Sequence, residues 1–204
     1  MICLSFLEGL GGKPVPAAAT GLANAPAEKC AAPALPNCLS KPLEPPDSHF
    51  LNAAQGWLGL GDHQSAMDEL KRINPLLQSH IHVLAVRCEI YTVAKNWPAV
   101  AAVAWTLVKL IPHQPHGWIQ RSFALHEMRR TQQAFELLLP AAEKFPNMPT
   151  VPYNLACYCA QLGNLVEARR WLHAAYAIGD ASELRLAAQS DPDLAPLLPR
   201  TAGI

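Results

Sequence analysis

From Asp47 onward the chain repeats itself with a period of 34 residues. Placing repeats at 47–80, 81–114, 115–148 and 149–182 aligns Ala66, Val100, Ala134 and Ala168 in one column. Leu70, Ala104, Leu138 and Leu172 fall in a second column four residues later, and Ala54, Cys88, Ser122 and Ala156 in a third, made of small residues. Pro112 and Pro146 stand one period apart, as do Pro115 and Pro149, so the helix-breaking punctuation recurs in register. A fixed period in this range restricts the chain to an array in which each unit buries its apolar face on the next.

Each unit reads as two antiparallel helices. In the third, Trp118, Ser122 and Leu125 share one face at i, i+4 and i+7; Arg129 to Thr131 make a turn, and Ala134, Leu138 and Ala141 form the second stripe. Small residues at the crossing allow helix axes to approach to about 8 Å. Gly61 and Gly163 stand where a helix ends in a left-handed residue, each followed by an N-cap, Asp62 or Asn164. Lys95 and Arg129 hold the glycine position in the middle repeats, which costs roughly 1 kcal/mol each if the left-handed geometry is kept. Pro98 falls in the first turn of its helix, where a missing N–H is harmless, whereas Pro140 falls inside one, where a kink or early fraying is expected.

Residues 1–46 hold eight of the 19 prolines and no sustained helical period, and are expected to be a disordered tail. The 16 basic and 16 acidic side chains cancel without a basic run, so neither nucleic acid nor a membrane surface is an expected partner. No apolar stretch approaches the ~20 residues that span a bilayer. The N-terminus lacks the basic start of a secretory signal, and the six cysteines are scattered; both point to a cytoplasmic, reducing location.

The columns resemble the tetratricopeptide repeat. Repeat three carries the pattern in Trp118, Ser122, Leu125, Ala134, Leu138, Ala141 and Pro146, and repeat four in Leu155, Ala156, Gly163, Asn164, Ala168, Leu172 and Ala175. Repeat one has Gln78 where a proline would close it, and repeat two has Val100 for the usual alanine. The string from Val151 to Asn164, with Tyr153, Asn154, Leu155, Ala156 and Cys157, followed later by Asp191, Pro192, Asp193 and Leu194, is similar to the end-of-array module of bacterial tetratricopeptide proteins. The resemblance implies an all-α, right-handed superhelical solenoid of four helix-turn-helix repeats, with a short cap over 183–199 covering the apolar edge of the last one.

No chemical site is expected: no catalytic residues, no metal and no cofactor. Cys157 and Cys159, two apart on a helix, point away from each other. His113 and His116 have no acidic neighbour to complete a metal site, and there is no nucleophile–base pair or phosphate-binding loop. By the resemblance, function lies in the concave wall lined by the first helix of each repeat. Its expected lining is Leu51, Asn52 and Gln55; Val86 and Glu89; His116, Ile119, Gln120, Phe123 and His126; and Tyr153 and Asn154, with Phe123 as a solvent-facing aromatic anchor. Chaperone-tail-binding relatives place basic residues and asparagines in such a wall; here Leu51, Gln55, Val86, His116 and Gln120 stand there, so a carboxylate clamp is not expected. A largely apolar groove instead suits a peptide or amphipathic helix of a partner protein. The expected function is a non-catalytic adaptor; the alternatives are an accessory subunit of a separate enzyme and a repeat protein self-associating through the Phe50 edge.

Overall fold

The computed structural model describes residues 41–197; most of the expected tail, residues 1–40, and the last residues of the expected cap lie outside them. The described residues form helices joined by short turns, with no strand among them. The first helices of the repeats are α1 (Asp47–Gly59), α3 (Ile81–Val93), α5 (Pro115–Glu127) and α7 (Thr150–Gln161). Their partners are α2 (His63–Arg72), α4 (Trp97–Leu110), α6 (Thr131–Lys144) and α8 (Leu165–Ile178), whose starts fall 34 residues apart. A ninth helix, α9 (Ala181–Ser190), and a 3-10 turn over Pro192–Leu197 follow.

Each helix pair is closed by the same turn. Gly61, Lys95, Arg129 and Gly163, one period apart, all adopt positive φ, at 79°, 54°, 64° and 82°. In each turn the next N–H reaches back to a carbonyl five residues earlier: Asp62 to Trp57, Asn96 to Tyr91, Arg130 to Leu125 and Asn164 to Cys159, at 2.8–2.9 Å. Asp62, Asn96 and Asn164 then cap the following helix through their side chains. Asp62 does so most fully, and its bonds from Ser65 pull its carboxyl below the ordinary range.

The repeat columns are the core. Ala66, Val100, Ala134 and Ala168 are fully buried, as are Ala54, Cys88, Ser122 and Ala156; Leu70, Ala104 and Leu138 join them, while Leu172 is half-buried against the same packing. Glycine at 117 brings α5 onto α4, since a Cβ there would sit 3.0 Å from the Val108 backbone nitrogen. Repeats three and four, with α9 and the 3-10 turn, share one continuous apolar cluster, whereas repeats one and two divide among smaller ones.

Three details depart from the expectations. Pro140 does not end its helix early: α6 continues to Lys144 with the proline on an exposed face, where water can meet the Glu136 carbonyl that loses its donor. In place of the closing proline of repeat one, Gln78 turns its amide back onto the end of α2, donating to the Leu70 and Ile73 carbonyls at 2.9 and 2.7 Å. Residues 41–46, counted with the tail, lie against repeat one: Leu43 packs on its core, and the Lys41 carbonyl accepts from Nε2 of the fully buried His80 at 2.7 Å.

Candidate protein-binding surface

The first helices stand side by side, α1 against α3 and α5 against α7, and α3 meets α5 through Thr92 and Gln120, so that the four line one wall. Along it Asn52 and Gln55 are exposed, and Glu89, His116, Ile119, Gln120 and Asn154 are half-buried. Leu51 and Val86 turn into the core cluster that repeats one and two share. Ile119 packs on the C-terminal core, and Gln120 Oε1 stands 3.5 Å from Thr92 Oγ1 across α3 and α5.

Phe123 is not a solvent-facing anchor. It is only 8 % exposed, because Trp97 at the start of α4 stands edge-on to its ring, centroids 5.5 Å apart. The covering residue comes from the preceding repeat, at a turn that helical spacing within α5 does not reveal. Phe50, expected as an exposed edge, is half-buried with the Arg72 guanidinium 4.2 Å over its ring.

At its C-terminal end the wall is already occupied, by the chain itself. The 3-10 turn lies on α7 with Leu194 fully buried. Tyr153 donates its hydroxyl to Asp191 Oδ2 at 3.1 Å, the Cys157 thiol faces the same oxygen at 3.8 Å, and Gln161 donates to the Asp193 carbonyl at 2.9 Å. His126, 8 % exposed, reaches from repeat three: Nε2 lies 3.2 Å from Asp193 Oδ2, and Nδ1 3.0 Å from Thr131 Oγ1. Tyr153 and His126 are therefore fastenings for this segment. Beside them Ser122 Oγ lies 3.2 Å from the Tyr158 hydroxyl, a buried polar contact between repeats three and four.

Burial sets the electrostatics. It pushes the Glu89 carboxyl up, and no hydrogen bond or ion pair to another described residue offsets the penalty. It lowers the His116 imidazole, whose Nε2 is buried without a partner. The Cys88 thiol is pushed up to about 12 by burial and then by the Glu89 charge, and Cys157 well above its ordinary value by burial and then Asp191. Such thiols stay protonated near neutral pH and make poor nucleophiles or metal ligands. Among the described residues no three His, Cys, Asp or Glu side chains gather as a metal site, and no helix is long and apolar enough to cross a membrane.

No protein-family profile and no curated protein matches the chain. Solved structures do. A thermophilic TPR protein, TTC0263 of Thermus thermophilus, superposes with a TM-score of 0.61 at 20 % identity, over 74 % of this chain and 80 % of that one. MamA (MSR-1, C2) superposes with a TM-score of 0.57 at 18 % identity, over 67 % of this chain and 78 % of that one. With the period, the four matching turns and these superpositions in agreement, the described residues have the fold of a tetratricopeptide-repeat-like helical solenoid.

Proposed function

We propose that the chain is a non-catalytic adaptor that binds a segment of a partner protein along the wall formed by α1, α3 and α5. The observation that supports this most is the chain's own C-terminal segment, seated on α7 of the same wall by one buried leucine and by flanking carboxylates held by tyrosine and histidine side chains. A surface that accepts one short segment in this way suits another further along, where Asn52, Gln55 and Gln120 offer amides and no segment from the described residues lies on them. Glu89 deepens the reading: a half-buried carboxylate without a partner is satisfied by a donor on a ligand, so the favoured segment carries an amide, lysine or arginine among apolar residues. Three buried thiols agree with a reducing, cytoplasmic setting.

Affinity capture with the immobilised full chain tests this reading. Gln55→Ala and Glu89→Gln should each lower retention of its partners, Glu89→Gln roughly tenfold, the scale of one charge-assisted hydrogen bond. Loss of fold does not explain such a result for Glu89. Its carboxyl is raised in the folded state, so it favours folding only while protonated at low pH and opposes it as pH rises through the folded value. Glu89→Gln is accordingly expected to be at least as stable as the parent at neutral pH, which thermal unfolding of the variant checks. An unchanged partner set at unchanged affinity in both variants would remove the wall from consideration.

A further inference from the structure

Between α4 and α6, the second helices of repeats two and three, the solenoid leaves a cleft of about 480 Å³ floored by α5. The floor residues Arg121, Leu125 and Met128 lie about 80–160° around the helix from Gln120 and Phe123, so the cleft opens on another side of α5 from the wall of first helices. Its origin is visible in the period. Repeat four packs onto repeat three through the fully buried Leu155, and the same register position in repeat three is Arg121. That guanidinium cannot fill the inter-repeat space as leucine does; its central carbon stands over Trp105 instead, 4.0 Å from the ring centroid.

The cleft is apolar in its walls, with one cation on its floor, Arg121, and one on its exposed rim, Arg130. Leu125, Met128 and Leu137 line it, with Arg121 and Arg130 beside them, and Lys109 approaches the same indole to 5.6 Å. No carboxylate lines it, α4 contains none from Trp97 to Leu110, and none of the ion pairs among the described residues includes Arg121, Arg130 or Lys109. Burial alone lowers Arg121, with no neighbouring carboxylate to oppose it. Pro98, Ala102, Arg130 and Gln133 are exposed and Trp105 keeps 42 % of its surface, so this is an open cleft. A small free acid would remain largely in water there, whereas a side chain carried on a folded partner is held in place by its own scaffold.

We infer that this cleft is a second docking site, which takes an apolar side chain from a partner protein's helix, with a carboxylate of the same helix meeting Arg121 and Arg130. It lies apart from the wall assigned to the adaptor function and stands or falls independently of it.

A fluorescein-labelled, amidated helical peptide with Leu and Phe at i and i+4 and Glu at i+3 and i+7 is the probe, with its Lys-for-Glu counterpart as control. Titrated with the full chain and followed by anisotropy, the Glu peptide should bind, and more weakly as salt is raised. The Lys peptide, and the Glu peptide against Arg121→Gln or Gln133→Glu, should each bind roughly tenfold more weakly. Glu89→Gln, on the wall, should leave the titration unchanged. Gln133→Glu alters an exposed rim position, so it reports on the cleft even if Arg121→Gln unfolds. Absence of binding by the Glu peptide, equal binding of the two peptides, or binding undiminished by Gln133→Glu would overturn the proposal. So would displacement of the Glu peptide by an equal concentration of octanoate, which would assign the cleft to a small amphiphilic acid.

Discussion

The four helix-pair turns put glycine, lysine and arginine into one backbone shape, which makes them an internal control. A side chain at positive φ is crowded by its own carbonyl, at a cost of about 1–2 kcal/mol that glycine escapes. Nothing lies within 4 Å of a Cβ built on Gly61 or Gly163, so backbone conformation alone decides the outcome there. Gly61→Ala and Gly163→Ala should therefore each cost about 1 kcal/mol in urea unfolding, whereas Lys95→Gly and Arg129→Gly should gain up to about 1 kcal/mol. Destabilisation in all four variants would mean that the lysine and arginine side chains contribute more than their backbones lose. This geometry was legible in the sequence because a strict period carries the left-handed position from Gly61 to Lys95 without any glycine there. Burial of Phe123 was not, because helical spacing specifies a face and not the neighbour that covers it; here that neighbour is Trp97, from another repeat.

At the scale of elements, the ends of the array need more than the repeat pattern supplies. Gln78 completes α2 where no proline stands, and the 3-10 turn after α9 is bound to α7 by side chains rather than by backbone pairing. The Tyr153 hydroxyl is the donor to Asp191, a carboxylate only 5 % exposed. Tyr153→Phe leaves that group short of a partner and should cost about 1–3 kcal/mol. Amide exchange in 191–197 should accelerate while exchange in α1–α4 stays as in the parent; a uniform acceleration would show that the segment is not a separate element. The sequence indicated that Asp191 to Leu194 covers the last repeat. It did not indicate that the covering runs across Tyr153 and Cys157, since that requires knowing which face of α7 the chain returns to after α9.

For the whole molecule, the division of the core matters more than its total size. Nearest-neighbour arrays are as stable locally as the interfaces on either side of each unit. One large cluster joins repeats three and four to the C-terminal segment, whereas the described residues ahead of it are held by smaller ones, one shared by repeats one and two, one reaching from repeat two to Ala124, and one within repeat two. Hydrogen exchange under native conditions should therefore be slower in α5–α8 than in α1–α4, and at intermediate denaturant 41–110 should open first. Equal protection, or the reverse order, would show that the divided clusters act as one. Asp193 reaches past repeat four to His126 in repeat three, so a side-chain contact ties those two repeats and the terminal segment into one block. The consequence concerns how such a chain can lengthen or shorten over generations. A whole repeat can be duplicated or lost ahead of Pro115 with only one interface to be matched. The same event within the block must also re-create a histidine at the distance Asp193 reaches, so variation in copy number is expected to concentrate near the start of the array.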